Sequence, residues 1–157
     1  MEVFRITHIK WSISMSASGT PARWNSQNVF TIYTAATRSL ACLEMAVHLD
    51  NTRLLNEYYR VMVILIPDEI IREKMTVSEL PPNWHQTSDK GYKICQNIGD
   101  IWNRKGNSAI FEVPSAIIKN EKNYLINPLH PDFQKIKIID SEPFFFDPRI
   151  KKSVKKK

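Results

Sequence analysis

The segment Tyr58 to Ile66 limits the possible folds of this chain more than any other stretch. It is apolar almost throughout, with an unbroken run from Val61 to Ile66, and Pro67 closes it. A run of that length falls far short of the roughly 20 residues that a membrane-spanning helix needs. Short, rich in β-branched residues and bounded by proline, it reads as a strand. Its lack of polar alternation places it centrally in a sheet that is covered on both faces. A chain of 157 residues is long enough to build those layers as one domain.

The rest of the chain supplies candidate neighbours. Val3–Ile6 and Val29–Tyr33 read as strands, the second because β-branched and aromatic residues dominate it. Ile13–Thr20 is small and polar and reads as a mobile loop. Thr37 is placed to N-cap a helix whose apolar face carries Leu40, Leu43 and Val47. A second helix is predicted over Asp89–Arg104, with Ile94, Ile98, Ile101 and Trp102 at helical spacing and Gly106 as its C-cap. Ala109–Val113, Tyr124–Ile126 and Ile136–Ile139 complete the strands, and the prolines are expected at turns and strand ends. Strands outnumber helices and no repeat is present. The expected class is α+β, a twisted β-sheet core with flanking helices.

Charge narrows the functional classes. The net charge is +6, but Arg149, Lys151, Lys152, Lys155, Lys156 and Lys157 crowd the end of the chain. The other 16 basic residues balance the 16 acidic ones, so residues 1–148 are neutral. The basicity belongs to a tail at 151–157, expected to be disordered and solubilising, and the body at 1–150 offers no nucleic-acid footprint. Cys42 and Cys95 are too few and too far apart for a disulfide framework. The amino terminus has no long apolar stretch, so the expectation is a cytoplasmic protein without a secretory leader. His8, His48, His85 and His130 lack the short spacing of a metal pair, and His130, between Pro128 and Pro131, reads as a turn residue. Neither a Gly-rich phosphate loop nor a Gly-x-Ser-x-Gly elbow occurs.

Arg23, Trp24 and Asn25, then Tyr33, then Glu44 form the informative stretch. On a helical wheel Glu44 lies about 40° from Leu40 and 60° from Val47, at the edge of the predicted buried stripe. A carboxylate against apolar surface needs partners or a task. A boundary glutamate paired with Arg38 or His48 satisfies the same pattern. Arg23 and Trp24 also read as a solvated arginine beside an indole that covers a loop, Tyr33 as core packing, and Ser115 as the cap of a short turn.

Several separated motifs, taken in order, resemble the RES-domain family, named for a characteristic arginine, glutamate and serine. They are Arg5 in Val3-Phe4-Arg5-Ile6, Ala22-Arg23-Trp24-Asn25, Tyr33, and Glu44 followed one turn later by His48. Further on come Gly99-Asp100-Ile101-Trp102, Val113-Pro114-Ser115-Ala116, Asn123-Tyr124-Leu125-Ile126-Asn127-Pro128 and Phe146-Asp147-Pro148-Arg149. The likeness runs from about residue 3 to 150. The chain departs from the pattern twice: Pro21-Ala22 replaces a glycine pair before the arginine, and Gln27-Asn28 stands where a glycine usually follows the tryptophan–asparagine pair.

The resemblance implies a fold related to ADP-ribosyltransferase toxins and a cytoplasmic toxin of a bacterial toxin–antitoxin pair. It implies NAD as substrate, cleaved at the nicotinamide–ribose bond by phosphorolysis, with inorganic phosphate as acceptor, or by hydrolysis. ADP-ribosylation of a cellular protein is the alternative, and a catalytically silent binding module is a further one. The implied partner is a helix-turn-helix antitoxin, through which alone the toxin would contact DNA. No metal and no membrane are implied. The residue types suit the chemistry. A carboxylate such as Glu44 can stabilise oxocarbenium-like charge on the sugar. Arg23, with Arg5, offers forked donors for phosphates. Tyr33 offers a flat ring, Ser115 a hydroxyl for phosphate or ribose, and Trp24 and Asn25 complete the implied substrate-binding set.

Overall fold

The computed structural model describes residues 1–49 and 58–150, so the basic tail at 151–157 lies outside the described residues. The apolar run forms strand β3 (Tyr59–Leu65), bonded antiparallel to β1 (Glu2–His8) on one side and β7 (Lys137–Phe144) on the other. The remaining strands are β2 (Ile32–Ala35), β4 (Arg72–Lys74), β5 (Ile110–Pro114) and β6 (Lys122–Ile126). Together they make one seven-stranded sheet in the order β4-β5-β6-β2-β1-β3-β7. β3 is therefore interior but one place from the edge, and β2 holds the centre. The class is α+β, as expected.

Two α-helices lie among the described residues, α1 (Arg38–Ala46) and α2 (Asp89–Lys105). Strand alternation assigns each side chain to a face. The pairings Phe4↔Val63, Phe4↔Ala35, Ala35↔Asn123 and Val113↔Asn123 place these residues on one face. α1 packs there through Leu40, Ala41 and Ala46 against Phe4, Ile6, Val61 and Val63. α2 packs on the same face through Cys95 and Trp102 against Phe111, Val113 and Leu125. The opposite face buries Val3, Ile32, Met62, Ile64, Ile110 and Ile126 under Ile70, Ile136 and Phe133. β1 and β2 join at a single registered pair, Phe4↔Ala35, so each half of the sheet carries its own helix.

The helix caps match the sequence reading. The Leu40 amide donates to Thr37 Oγ1 at 3.0 Å, and Gly106 ends α2 in the left-handed region at φ 60°. The faces do not. Leu43 and Val47 are exposed, and α1 docks through Leu40 and Ala41. Those two residues span an arc of about 100° that contains Glu44, so the carboxylate lies within the docked face rather than at its edge. In α2 the buried line is Gly91, Cys95, Gly99 and Trp102, while Ile101 is exposed.

Two further expectations are corrected, and one strand is added. The strand predicted at Val29 begins only at Ile32, because Asn25 Nδ2 and Asn103 Nδ2 take the carbonyls of Val29 and Phe30 that a ladder would have used. Pro143 does not end a strand but lies inside β7, which is possible because β7 is an edge strand and can spare an amide. β4 gave no hydrophobic signal because its three residues, Arg72, Glu73 and Lys74, sit on the other edge, where charge protects an open ladder. It runs parallel to β5, and α2 lies in the crossover that such a pair requires.

Of the four glycines, Gly99 meets the closest backbone, where α2 lies against the loop ahead of β2. A Cβ added to Gly99 would lie 1.9 Å from the Trp24 carbonyl oxygen, so only glycine fits there. Gly99→Ala should cost about 1–3 kcal/mol by overpacking. For a chain of this size that lowers Tm by roughly 2–12 °C in calorimetry. An unchanged Tm would show that the helix and loop are not in such contact.

Candidate functional site

Residues 19–31 have almost no regular structure, yet many polar groups in the loop are held. Ala22 and Asn25 form an isolated bridge. Asn25, almost fully buried, donates through Nδ2 to the carbonyls of Thr20, Ser26 and Val29. α2 pins the loop from outside: Gln96 Nε2 donates to the Ala22 carbonyl at 2.9 Å, and Asp100 Oδ1 accepts from the Ser26 amide at 2.9 Å. Asn28, in the Gln27-Asn28 pair that stands where the resemblance implies a glycine, takes φ 66°. Asparagine tolerates the left-handed region better than other side chains, so the turn survives the departure.

Tyr33 in β2 closes the loop from below. Its hydroxyl donates to Asn25 Oδ1 at 2.8 Å and accepts from the Trp24 amide at 2.9 Å. Burial pushes the phenol pKa well above its ordinary value, and the Arg23 charge nearby opposes that shift. Trp24 is buried, stacked at an angle on Trp84 and edge-on to Phe111. The loop turns Arg23 toward the start of α2. Its Nη1 donates to the carbonyls of Trp84 at 2.8 Å and Gln86 at 3.2 Å, and the guanidinium lies 4.5 Å from the centre of the Tyr92 ring.

The acidic side of the site comes from α1, β6 and the end of β5. Glu44 is half-buried, and its Oε1 accepts from Ser115 Oγ at 2.8 Å and Asn123 Nδ2 at 2.6 Å. Ser115 Oγ in turn accepts from the amides of Ile117 and Ile118, each at 3.1 Å, so its hydroxyl proton is directed at the glutamate. Ser115 is thus both a turn cap and a partner of Glu44. Arg38, the alternative partner for that carboxylate, bonds Glu142 instead at 2.7 Å. Among the described residues, Glu44 Oε2 takes no hydrogen bond.

One strip links the two sides. Tyr33 pairs with Leu125, and Asn123 stands two residues along on the same face, a diagonal neighbour about 7–8 Å away. Hydrogen bonds join Asn123 and Ser115 to Glu44, and the Tyr33 hydroxyl takes the Trp24 amide next to Arg23. Trp24 and Asn25 lie beneath this strip as packing and loop scaffold. Arg5 is not brought to it. Phe4 and Ile6 face α1, so alternation turns Arg5 to the opposite face, where Nη1 donates to the Ser16 carbonyl at 2.9 Å. Burial there lowers its pKa. Sequence pattern alone does not single out Asn123. The signal exists: it is a polar residue in phase with buried Leu125, an inward position in a strand.

Comparison with known proteins places this arrangement in a class. The RES domain model matches residues 2–147, and the chain belongs to the RES-domain family. It is 37% identical over 134 residues to the Prs ADP-ribosylating toxin of Sphingobium sp. (strain YBL2), covering 83% of this chain and 81% of the relative. Toxin Res of Photorhabdus laumondii subsp. laumondii is 31% identical over 161 residues, covering 99% and 100%. The fold is similar to a chain in the crystal structure of the M. tuberculosis MbcT-MbcA toxin-antitoxin complex, with a TM-score of 0.74 at 17% identity, covering 95% of this chain and 85% of that one.

The Tyr33 phenol sets a pH dependence. In the unfolded chain it ionises near 10, whereas in the folded protein it holds its proton to higher pH. The unfolded state therefore gains stability as pH rises past about 10, and the protein loses it. Tyr33→Phe removes that component but strands the Trp24 amide, a cost of about 1–3 kcal/mol. Urea melts from pH 8 to 11 should give the variant lower stability and a shallower alkaline decline. Parallel declines would sink the assignment.

Proposed function

We propose that the chain is the toxin of a toxin–antitoxin pair and consumes NAD by cleaving its nicotinamide–ribose bond. The observation that supports this reading is Glu44, a carboxylate anchored through one oxygen while the other takes no hydrogen bond among the described residues, over the sheet face that also carries Tyr33. Cleavage builds positive charge on the anomeric carbon as the cationic nicotinamide nitrogen takes the bonding electrons and leaves neutral. A fixed carboxylate beside that carbon stabilises the charge where it develops. Arg23 serves the dinucleotide phosphates, its guanidinium oriented by the Trp84 and Gln86 carbonyls. Tyr33 holds the loop and offers its ring. Ser115 sets the rotamer of Glu44.

The Prs relative is named an ADP-ribosylating toxin, which favours a second reading in which the sugar passes to a protein. In both readings the bond broken is the same and only the acceptor differs: inorganic phosphate, water or a protein side chain. The proposed partner is an antitoxin of helix-turn-helix type, through which the pair would meet DNA. The proposed place of action is the cytoplasm. Among the described residues no helix is long and apolar enough to cross a membrane.

Purified protein incubated with NAD, with and without inorganic phosphate and with cell extract, separates the acceptors. Nicotinamide release that rises with phosphate identifies phosphorolysis, and label from NAD on a protein band identifies transfer. Glu44→Gln keeps the shape and removes the charge, and should cut release at least about 100-fold, the scale of losing one preorganised electrostatic group. Intact NAD under every condition would overturn the reading.

A further inference from the structure

Asn123 carries a buried side-chain atom whose hydrogen-bonding capacity is unspent among the described residues. Its side chain is 9% exposed, and Nδ2 donates to Glu44 Oε1. The other amide atom, Oδ1, is buried and accepts from nothing among the described residues. An unpaired buried carbonyl costs about 1–3 kcal/mol, and such groups are rare unless something outside the chain completes them. The amide cannot turn over to escape, because that would set Oδ1 against the Glu44 carboxylate. The two atoms belong to one amide, so the vacant acceptor lies next to the oxygen that Glu44 uses to hold its place.

We propose that Asn123 Oδ1 accepts a hydrogen bond from a hydroxyl of the substrate's nicotinamide-bearing ribose, so that one side chain both orients the carboxylate and reads the sugar. This rests on the functional reading above. The chemistry favours a sugar hydroxyl. Oδ1 can only accept, so its partner must donate. Glu44 must face the anomeric carbon, and the donors closest to that carbon are the ribose hydroxyls. The phosphates of the dinucleotide are acceptors and cannot serve. Neither oxygen of the Glu44–Asn123 pair then duplicates the other's role.

The test compares NAD with analogues lacking the 2′ or the 3′ hydroxyl of the nicotinamide ribose, using wild type, Asn123→Ala and Asn123→Asp. Wild type should lose about 10- to 100-fold in kcat/KM on the analogue that lacks the hydroxyl in question. Asn123→Ala should lose about as much on NAD itself, yet lose little more on that analogue. Asn123→Asp preserves shape and folding. At neutral pH it sets two carboxylates together, which raises the pair's pKa, and activity falls. At acid pH one shared proton recreates the donor to Glu44, and both activity and sensitivity to the missing hydroxyl should return. Losses that simply multiply, or no acid rescue in a variant whose thermal melt is native-like, would overturn this assignment alone. A wild type that leaves NAD intact would overturn the functional reading and this assignment with it.

Discussion

The seating of residues 19–31 on α2 is the contact on which the rest of the site depends. The loop carries Arg23 but has almost no ladder of its own, so its backbone groups need partners from elsewhere. α2 supplies them from one stripe: Gln96, Asp100 and Asn103 bond Ala22, Ser26 and Phe30, and Gly99 between them leaves room for the Trp24 carbonyl. The spacing of four and three residues keeps these side chains on one helical face. The aromatic residues below the loop complete the seat, with Trp24 against Trp84 and Phe111, and Phe111 stacked on Trp102 at 5.3 Å. An arginine on a loop held this way has a fixed backbone and loses less entropy when it meets an anion.

Sheet alternation then decides which charged groups share the site. Two adjacent strands, β6 and β2, contribute Asn123 and Tyr33 to one face, and α1 sets Glu44 over the same face. Arg5 stands on β1 beside Phe4 and Ile6, and the core claims those two for α1. No rotamer of Arg5 could cross the sheet to join Arg23. Its guanidinium instead ties the far-face loop at Ser16. A residue that matches a motif in the sequence thus acquires a scaffolding role from parity alone.

Much of the fold was legible because its signals were local. The Thr37 and Gly106 caps, the apolar β3 and the strands after α2 follow from propensity and periodicity. Misjudged features had tertiary causes. Leu43 and Val47 look like core because helices pack apolar residues, but Ala41 allows α1 to dock closer on its other flank. The buried line of α2 includes Gly91 and Gly99 because the helix lies against backbone there, a contact that a hydrophobic pattern does not signal. In the site, Glu44, Ser115 and Tyr33 were legible through resemblance, whereas the roles of Asn123 and of the polar stripe of α2 were not, although Asn123 and Asp100 stand in its motifs. Their importance comes from partners 79 and 74 residues away in the chain.

The arrangement at Glu44 also explains why a serine and an asparagine, rather than a cation, stand beside it. A lysine or arginine paired with the carboxylate would hold it firmly but would also cancel the negative field that a developing oxocarbenium charge requires. Ser115 and Asn123 are neutral donors, and both bond the same oxygen, so they fix direction while leaving the charge in place. Ser115 can do this only because the Ile117 and Ile118 amides fill its acceptor side, which leaves its proton one destination. The positive groups are kept at the other end of the strip, where Arg23 is tied to backbone carbonyls. Separating the charges in this way suits the proposed substrate, which is anionic at its phosphates and becomes cationic at its sugar.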